Sequence, residues 1–363
     1  MMTAAFLLFN PKEEVTNSYL LIWSMLLWLG WTMINIPYYA WGAELSENYD
    51  ERTRITGWRQ VFAYSGNVTV LALPAMANEL TGFGGLPKEG LTIIGSLALI
   101  ALPSTVAICL LFIPERNNYG SSTASLTTNF KAVWKNGSFK LVWIAFMLKY
   151  MGAAWGSALF MLFAVHVVGE KENVAAILLG HYFLQLLTLP MWVKLSERIG
   201  KKETYIIGGI LFTLVIPLFL LIGNGDTWLL VFVLACVGAS GSYFTAISMS
   251  MKADVIEIAS HRAGENVAGA YIAIWSLGQK MIGAIALGIC LPLLQYLGFD
   301  PQGGNGPREL QILSIMYVVP QAIMYVGAVG FIWRYPINAE RLERIRGAFE
   351  RRGARKENQL ISA

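Results

Sequence analysis

Nine apolar stretches limit what this chain can fold into more than any other feature. They lie at about 18–43, 56–79, 91–113, 140–164, 173–193, 204–222, 228–250, 267–297 and 311–333. A bilayer core about 30 Å thick is crossed by roughly 20 apolar residues in a helix. The runs show no two-residue alternation, and hydrocarbon cannot satisfy backbone polar groups, so helices are the spanning form they predict. Composition agrees: 55% of the 363 residues are hydrophobic and 14% are charged, against roughly a quarter charged in soluble domains. Twelve Trp and 35 Gly suit membrane interfaces and close helix contacts. The reading is an all-α membrane protein.

The basic residues then orient it. Of the 27 Lys and Arg, 21 fall in alternate loops and the tail: Arg52, Arg54 and Arg59; Arg116, Lys131, Lys135 and Lys140; Lys194, Arg198, Lys201 and Lys202; Lys252 and Arg262; and eight from Arg334 to Lys356. The opposite loops hold four, Lys12, Lys88, Lys171 and Arg308, and the remaining two, Lys149 and Lys280, fall inside spans. The excess of basic residues marks the cytoplasmic side, so the C-terminus is expected in the cytoplasm. The tail 334–363 is basic and expected to lie on anionic lipid rather than on nucleic acid.

Other classes of function find no support. No phosphate-cradling glycine loop, HExxH motif or nucleophile elbow is present. His166, His181 and His261 are far apart in sequence, and Cys109, Cys236 and Cys290 lie in apolar runs as packing residues. Neither an enzyme nor a metal site is expected, and no cofactor. Residues 1–9 lack the basic start of a signal peptide.

The polar residues that need a reason at membrane depth begin with the stretch Asn35 to Arg59. It leaves one apolar helix, is expected to break at Pro37, crosses a charged loop and enters the next helix on Arg59. Thr32, Asn35 and Tyr39 are spaced i, i+3, i+7 and share one helix face, offering a hydroxyl, an amide and a ring. The guanidinium fork of Arg59 suits hydroxyl or carboxylate oxygens. Two plainer roles stay open: Asn35 bonding a neighbouring helix beside Pro37, and Arg59 snorkelling to the interface.

The run Asn35-Ile-Pro-Tyr-Tyr-Ala-Trp-Gly-Ala-Glu-Leu, followed by Asp50-Glu-Arg-Thr-Arg and Gly57-Trp-Arg59, resembles the helix 4–loop–helix 5 segment of the glycoside–pentoside–hexuronide:cation symporters. That is the melibiose-carrier family of the major facilitator superfamily. Ala253-Asp-Val-Ile-Glu257, Gly264-Glu265 and Lys280 are similar to its helix 10 and 11 motifs, in the expected order. The resemblance implies a two-bundle fold with about nine complete transmembrane helices present, helices 4–12 of a twelve-helix plan. Residues 1–113 would be a partial N-terminal bundle (the end of helix 3 and helices 4–6), 114–139 a cytoplasmic linker, and 140–333 a six-helix C-terminal bundle. On this plan the chain is expected to be N-terminally incomplete, with a genuine nine-helix protein as the alternative.

The same resemblance implies a secondary active transporter of the inner membrane, a monomer that moves a sugar or glycoside by alternating access with Na⁺ or H⁺ coupling. In the family the position of Asn35 is often an aspartate that binds the coupling cation with the residue matching Thr32. Here an amide stands there, and none of the 23 acidic residues lies mid-span.

Lys149 and Lys280 sit roughly 14 and 20 Å along their helices, at depths where an ammonium is expected to face water. Tyr150 and Trp155 beside the first, and Tyr271 and Trp275 before the second, are candidates to stack on sugar faces, as is Tyr243. The expected substrate contacts are thus Asn35, Tyr39, Arg59, Lys149, Tyr150, Trp155, Trp275 and Lys280. Because these candidates include cations and no acids, an acidic sugar such as a uronide is favoured. Arg52, Arg54, Glu197, Arg198, Asp254 and Glu257 are expected to form a charge lock that gates the cytoplasmic side. Two other classes stay open on the same scaffold, a lipid or lysolipid carrier and a non-transporting sensor.

Overall fold

In a computed structural model, residues 1–11, 15–45, 49–81, 87–113, 133–171, 173–263 and 267–336 are described. Among these no strand occurs. The chain divides into two compact units, residues 1–119 and 120–363.

The first unit contains α1 (Met2–Phe9), α2 (Asn17–Glu44), α3 (Tyr49–Thr81) and α4 (Pro87–Phe112). Short α1 packs against both α2 and α4. It comes close because Gly30 leaves room for the Met1 side chain and Gly95 for the Phe9 side chain. Tyr19 of α2 donates its hydroxyl to the Leu7 carbonyl at 2.8 Å, which ties the pair together. Thr16 caps α2 by accepting from the Tyr19 amide at 3.2 Å, meeting one of the donors every helix start leaves over.

The second unit contains α5 (Gly137–Leu162), α6 (Val174–Ile199), α7 (Lys201–Val215), α8 (Thr227–Ala263), α9 (Ala268–Tyr296) and α10 (Pro307–Trp333). A π-helical segment, Phe163–Val168, extends α5, and a 3-10 segment, Ile216–Leu221, extends α7. Helix α5 is central: it packs along α10 and α9, while α6 lies along α8, and α7 fills the space between α8 and α10. Phe139, Phe146, Phe163, Tyr205, Phe219 and Tyr243 are fully buried between these helices. The outward faces remain apolar, with Leu187, Leu214, Phe232, Ile323 and Val326 all exposed. A bundle apolar on every side is what a lipid solvent requires.

Among the described residues, eight helices are long and apolar enough to cross a membrane. In α3 the searched residues give an apolar segment Val61–Pro74. Three boundaries differ from expectation. Helix α2 does not break at Pro37 but continues to Glu44. Helix α3 begins at Tyr49, so Arg59 stands ten residues inside it instead of at its start. Helix α8 runs to Ala263, so Lys252, Asp254 and Glu257 are helical where a loop was expected. Helix α2 carries Pro37 within it, as apolar membrane helices tolerate; the other two share a cause. Hydropathy falls where charges begin, but helical backbone bonding persists through charged residues of good propensity.

Candidate functional site

The most chemically suggestive cluster lies in the second unit, where α5 and α9 begin and α8 ends. Asn136 caps α5 by accepting from the Phe139 amide at 3.2 Å, and its amide nitrogen donates to the Tyr271 hydroxyl of α9 at 3.2 Å. One side chain therefore starts α5 and sets the register of α9 against it. Phe139 meets Tyr271 edge-on at 4.8 Å and Trp275 at 5.8 Å, and Phe146 meets Trp275 at 5.2 Å. Gly278 lets α9 approach the Trp143 ring and the Met147 sulfur.

Lys252 of α8 reaches into this aromatic wall. Its ammonium lies 4.5 Å from the centre of the Trp275 ring and 5.9 Å from that of Tyr150, within the range of a cation–π contact. Trp275 is 4% exposed, and its indole N–H is buried with no hydrogen-bond acceptor among the described residues. Tyr150 is half-buried and packs edge-on against Phe244 at 5.2 Å. Of the expected substrate contacts, the structure brings together Tyr150 and Trp275 and adds Lys252. The sequence signal for Lys252 was present: continued as a helix, α8 carries it two residues before Asp254.

Lys280 does not join them. It follows Trp275 by five residues, about 140° around α9, and is exposed.

Lys149 corrects the expectation that it faces water. It is buried in the bundle core, its ammonium 3.3 Å from the centre of the Phe212 ring, 4.1 Å from Tyr325 and 5.9 Å from Tyr243. Those rings come from α7, α10 and α8, and Gly241, Gly152 and Gly208 give them room to close in. Among the described residues no carboxylate pairs with it. The rings supply the negative faces that a desolvated cation needs. Tyr325 donates onward to the Gln321 side-chain oxygen at 3.3 Å, and the Gln321 amide bonds the Tyr317 carbonyl.

Trp155 is likewise structural. It is buried, and its indole N–H donates to the Met316 carbonyl at 2.7 Å, tying α5 to α10. A ring sealed in that position has no face to offer a sugar.

In the first unit, Thr32 donates to the Trp28 carbonyl at 2.7 Å and Asn35 to the Trp31 carbonyl at 3.1 Å, each four residues back in its own helix. Such back-bonding is a low-cost way to carry polar side chains through an apolar helix. Asn35 and Arg59 are half-buried. The side chain of Tyr39 lies outside the described residues.

The charged residues expected to gate separate into groups. Asp254 is buried and accepts from Lys201 of α7 at 2.6 and 2.8 Å, an ion pair within one unit. Tyr335, just past α10, lies in the field of the same carboxylate. Burial first and Asp254 second push its phenol pKa up, so it stays protonated. Glu197 and Arg198 are exposed near the end of α6, and Glu257 is half-buried on α8. The side chains of Arg52 and Arg54, and the Gly264-Glu265 pair, lie outside the described residues. Among the described residues no cluster of His, Cys, Asp or Glu could hold a metal ion.

A second polar line was not anticipated. Along α6, His181 faces the Leu234 carbonyl at 2.9 Å, Thr188 meets Ser242 at 2.8 Å, and Trp192 donates to the Ala239 carbonyl at 2.9 Å. Their spacing of seven and four residues places them on one face, which joins α6 to α8.

Comparison with known proteins accords with this architecture. Residues 1–339 match the family described as MFS/sugar transport protein. The chain is 24% identical over 341 residues to the uncharacterized symporter YjmB of Bacillus subtilis, covering 90% of this chain and 72% of that protein. It is 21% identical over 381 residues to the glucuronide carrier protein homolog of Escherichia coli, covering 98% and 82%. It is also 24% identical over 223 residues to the sodium-dependent lysophosphatidylcholine symporter 1 of Gallus gallus, covering 60% and 42%. With a match across nearly its whole length and a bundle of membrane-spanning helices, this chain belongs to the MFS/sugar transport protein family, a multi-pass membrane family of transporters.

Proposed function

We propose that the protein is a secondary active transporter that moves a sugar or glycoside, with an acidic sugar as the favoured class, across the inner membrane by alternating access. Its C-terminus faces the cytoplasm, and transport is coupled to Na⁺ or H⁺. The observation that supports this reading is the meeting of an ammonium with two aromatic rings on three helices, Lys252 with Trp275 and Tyr150. Aromatic faces accept the C–H faces of a sugar ring, and the cation complements its oxygens. The name of the Escherichia coli glucuronide carrier homolog supports the acidic class. Uptake of labelled methyl β-D-glucuronide into proteoliposomes, driven by an imposed Na⁺ or H⁺ gradient, tests it. Accumulation above the no-gradient level is expected, and equal uptake with and without both gradients contradicts coupling.

A second reading is supported by the lysophosphatidylcholine symporter among the relatives. On that reading Lys252 would meet a lipid phosphate. Transport of lysophosphatidylcholine without any glycoside flux in the same proteoliposomes would favour it.

A further inference from the structure

Three helices of the second unit carry a break in α geometry, and the three breaks meet. Helix α5 widens into the π segment Phe163–Val168, α7 tightens into the 3-10 segment Ile216–Leu221, and α10 holds Pro320 in its interior. The sequence gives causes for them. Pro217 stands at the start of the 3-10 segment, and a proline has no N–H for the carbonyl four residues back. Pro320 withholds the same bond from Met316. Gly169, with φ at +84°, turns the chain out of the π segment, and the Val168 carbonyl before it accepts from the Gly225 amide at 2.8 Å.

Rings tie the three breaks together. Phe163 of the π segment stacks on Tyr317 of α10 at 4.8 Å, Phe219 of the 3-10 segment meets Tyr317 edge-on at 5.0 Å, and Phe163 meets Phe219 at 5.8 Å. All three rings are buried. Tyr317 lies three residues before Pro320, on the part of α10 that starts at Pro307. Helices bend at prolines, at π turns and at 3-10 stretches. Where such points coincide, the ends beyond them form one block on a soft joint.

One bond crosses that joint. Trp155 stands on the regular part of α5, about two turns before the π segment, and its indole N–H donates to the Met316 carbonyl at 2.7 Å. That carbonyl is the one Pro320 leaves without its helical donor. Trp155 therefore supplies the bond that the proline deletes, and it has to release Met316 if the block turns about Pro320.

We propose that this block is a hinged cap on the end of the second unit opposite its basic loops, turning about Pro320 and latched by Trp155. With the indole on Met316 the cap is closed. When the indole lets go, the π segment, the 3-10 segment and residues 307–319 swing together, because Phe163, Phe219 and Tyr317 stay packed on one another. The cap gives this end of the bundle a second arrangement of the kind alternating access requires, and its use in transport rests on the reading above.

The test is hydrogen–deuterium exchange of the purified 363-residue chain in detergent, read by mass spectrometry on peptides from the three outer segments and from the inner parts of α5 and α10. In Trp155→Phe, exchange should quicken roughly tenfold in all three outer segments at once, the factor that loss of one buried hydrogen bond supplies. Residues 139–150 and 322–333 should keep their wild-type exchange. Pro320→Ala returns an amide donor to Met316, so it should slow the same three segments and cancel most of the gain when added to Trp155→Phe. Adding Tyr317→Leu to Trp155→Phe should confine the quickening to residues 307–319. Quickening confined to 307–319 in Trp155→Phe itself, or spread evenly through the bundle, overturns the proposal, as does a Trp155→Phe effect that Pro320→Ala leaves undiminished. If Pro320→Ala lacks a cooperative melting transition, Tyr317→Leu decides: outer segments that still quicken together without the Tyr317 ring refute the cap. Exchange is read without substrate, so its outcome stands apart from that of the uptake assays.

Discussion

The ammonium of Lys149 lies 3.3 Å from the centre of the Phe212 ring, closing a cage completed by Tyr325 at 4.1 Å. It is a charge held by π faces in the middle of a bundle, with no described carboxylate beside it. A buried charge kept this way contributes little net stability, because losing its hydration offsets what the rings return. Lys149→Met should therefore be neutral or stabilising, by up to about 4 kcal/mol, with uptake retained. Lys149→Glu, which turns the charge against the rings, should abolish folding. Melting temperatures in detergent and gradient-driven uptake check both. A Lys149→Met protein that folds but no longer discriminates substrates would return Lys149 to the binding site.

The cage should be sensitive to its own walls. Phe212→Ala removes a buried ring and should cost about 3–5 kcal/mol. At Gly152 an added methyl would run into the Tyr325 ring, so Gly152→Ala should cost about 1–3 kcal/mol by overpacking. Denaturant or thermal unfolding of each variant measures these, and additivity of the two would show that the sites are uncoupled.

Asp254 and Lys201 should behave as a pair. Lys201→Met takes the ammonium away from a buried carboxylate and should cost roughly 2–4 kcal/mol, somewhat below a fully buried pair because the lysine side chain is 25% exposed. The double variant Lys201→Met/Asp254→Leu should recover most of that loss. A double-mutant cycle on melting temperature gives the coupling, and a value near zero would show that the contact is incidental.

Trp155→Phe should remove the bond to the Met316 carbonyl and destabilise by about 1–2 kcal/mol, while leaving the ratio of glucuronide to glucoside binding unchanged. A shift in that ratio would place Trp155 at the substrate after all.

Much of this architecture is legible in the sequence because a bilayer imposes one length on every spanning helix. The apolar runs at 91–113 and 311–333 coincide closely with α4 and α10. What hydropathy cannot give is where helices end, since α3 and α8 continue through charged residues to Tyr49 and Ala263. It also cannot give facing. A helix apolar all round has no amphipathic period, so nothing in the α5 run tells Lys149, inside the core, from Tyr150, at its edge. Trp275 was identifiable as an aromatic near polar depth. Lys252 is not legible in the same way, because the charges around it mark a loop in the sequence, and a loop lysine carries no direction.

The most direct test of the central claim is solute counterflow. Proteoliposomes loaded with unlabelled methyl β-D-glucuronide should transiently concentrate the labelled compound from outside, more strongly than they do methyl β-D-glucoside, and Trp275→Ala should abolish the overshoot. No overshoot with either sugar, in vesicles whose protein is folded and inserted, would contradict the account.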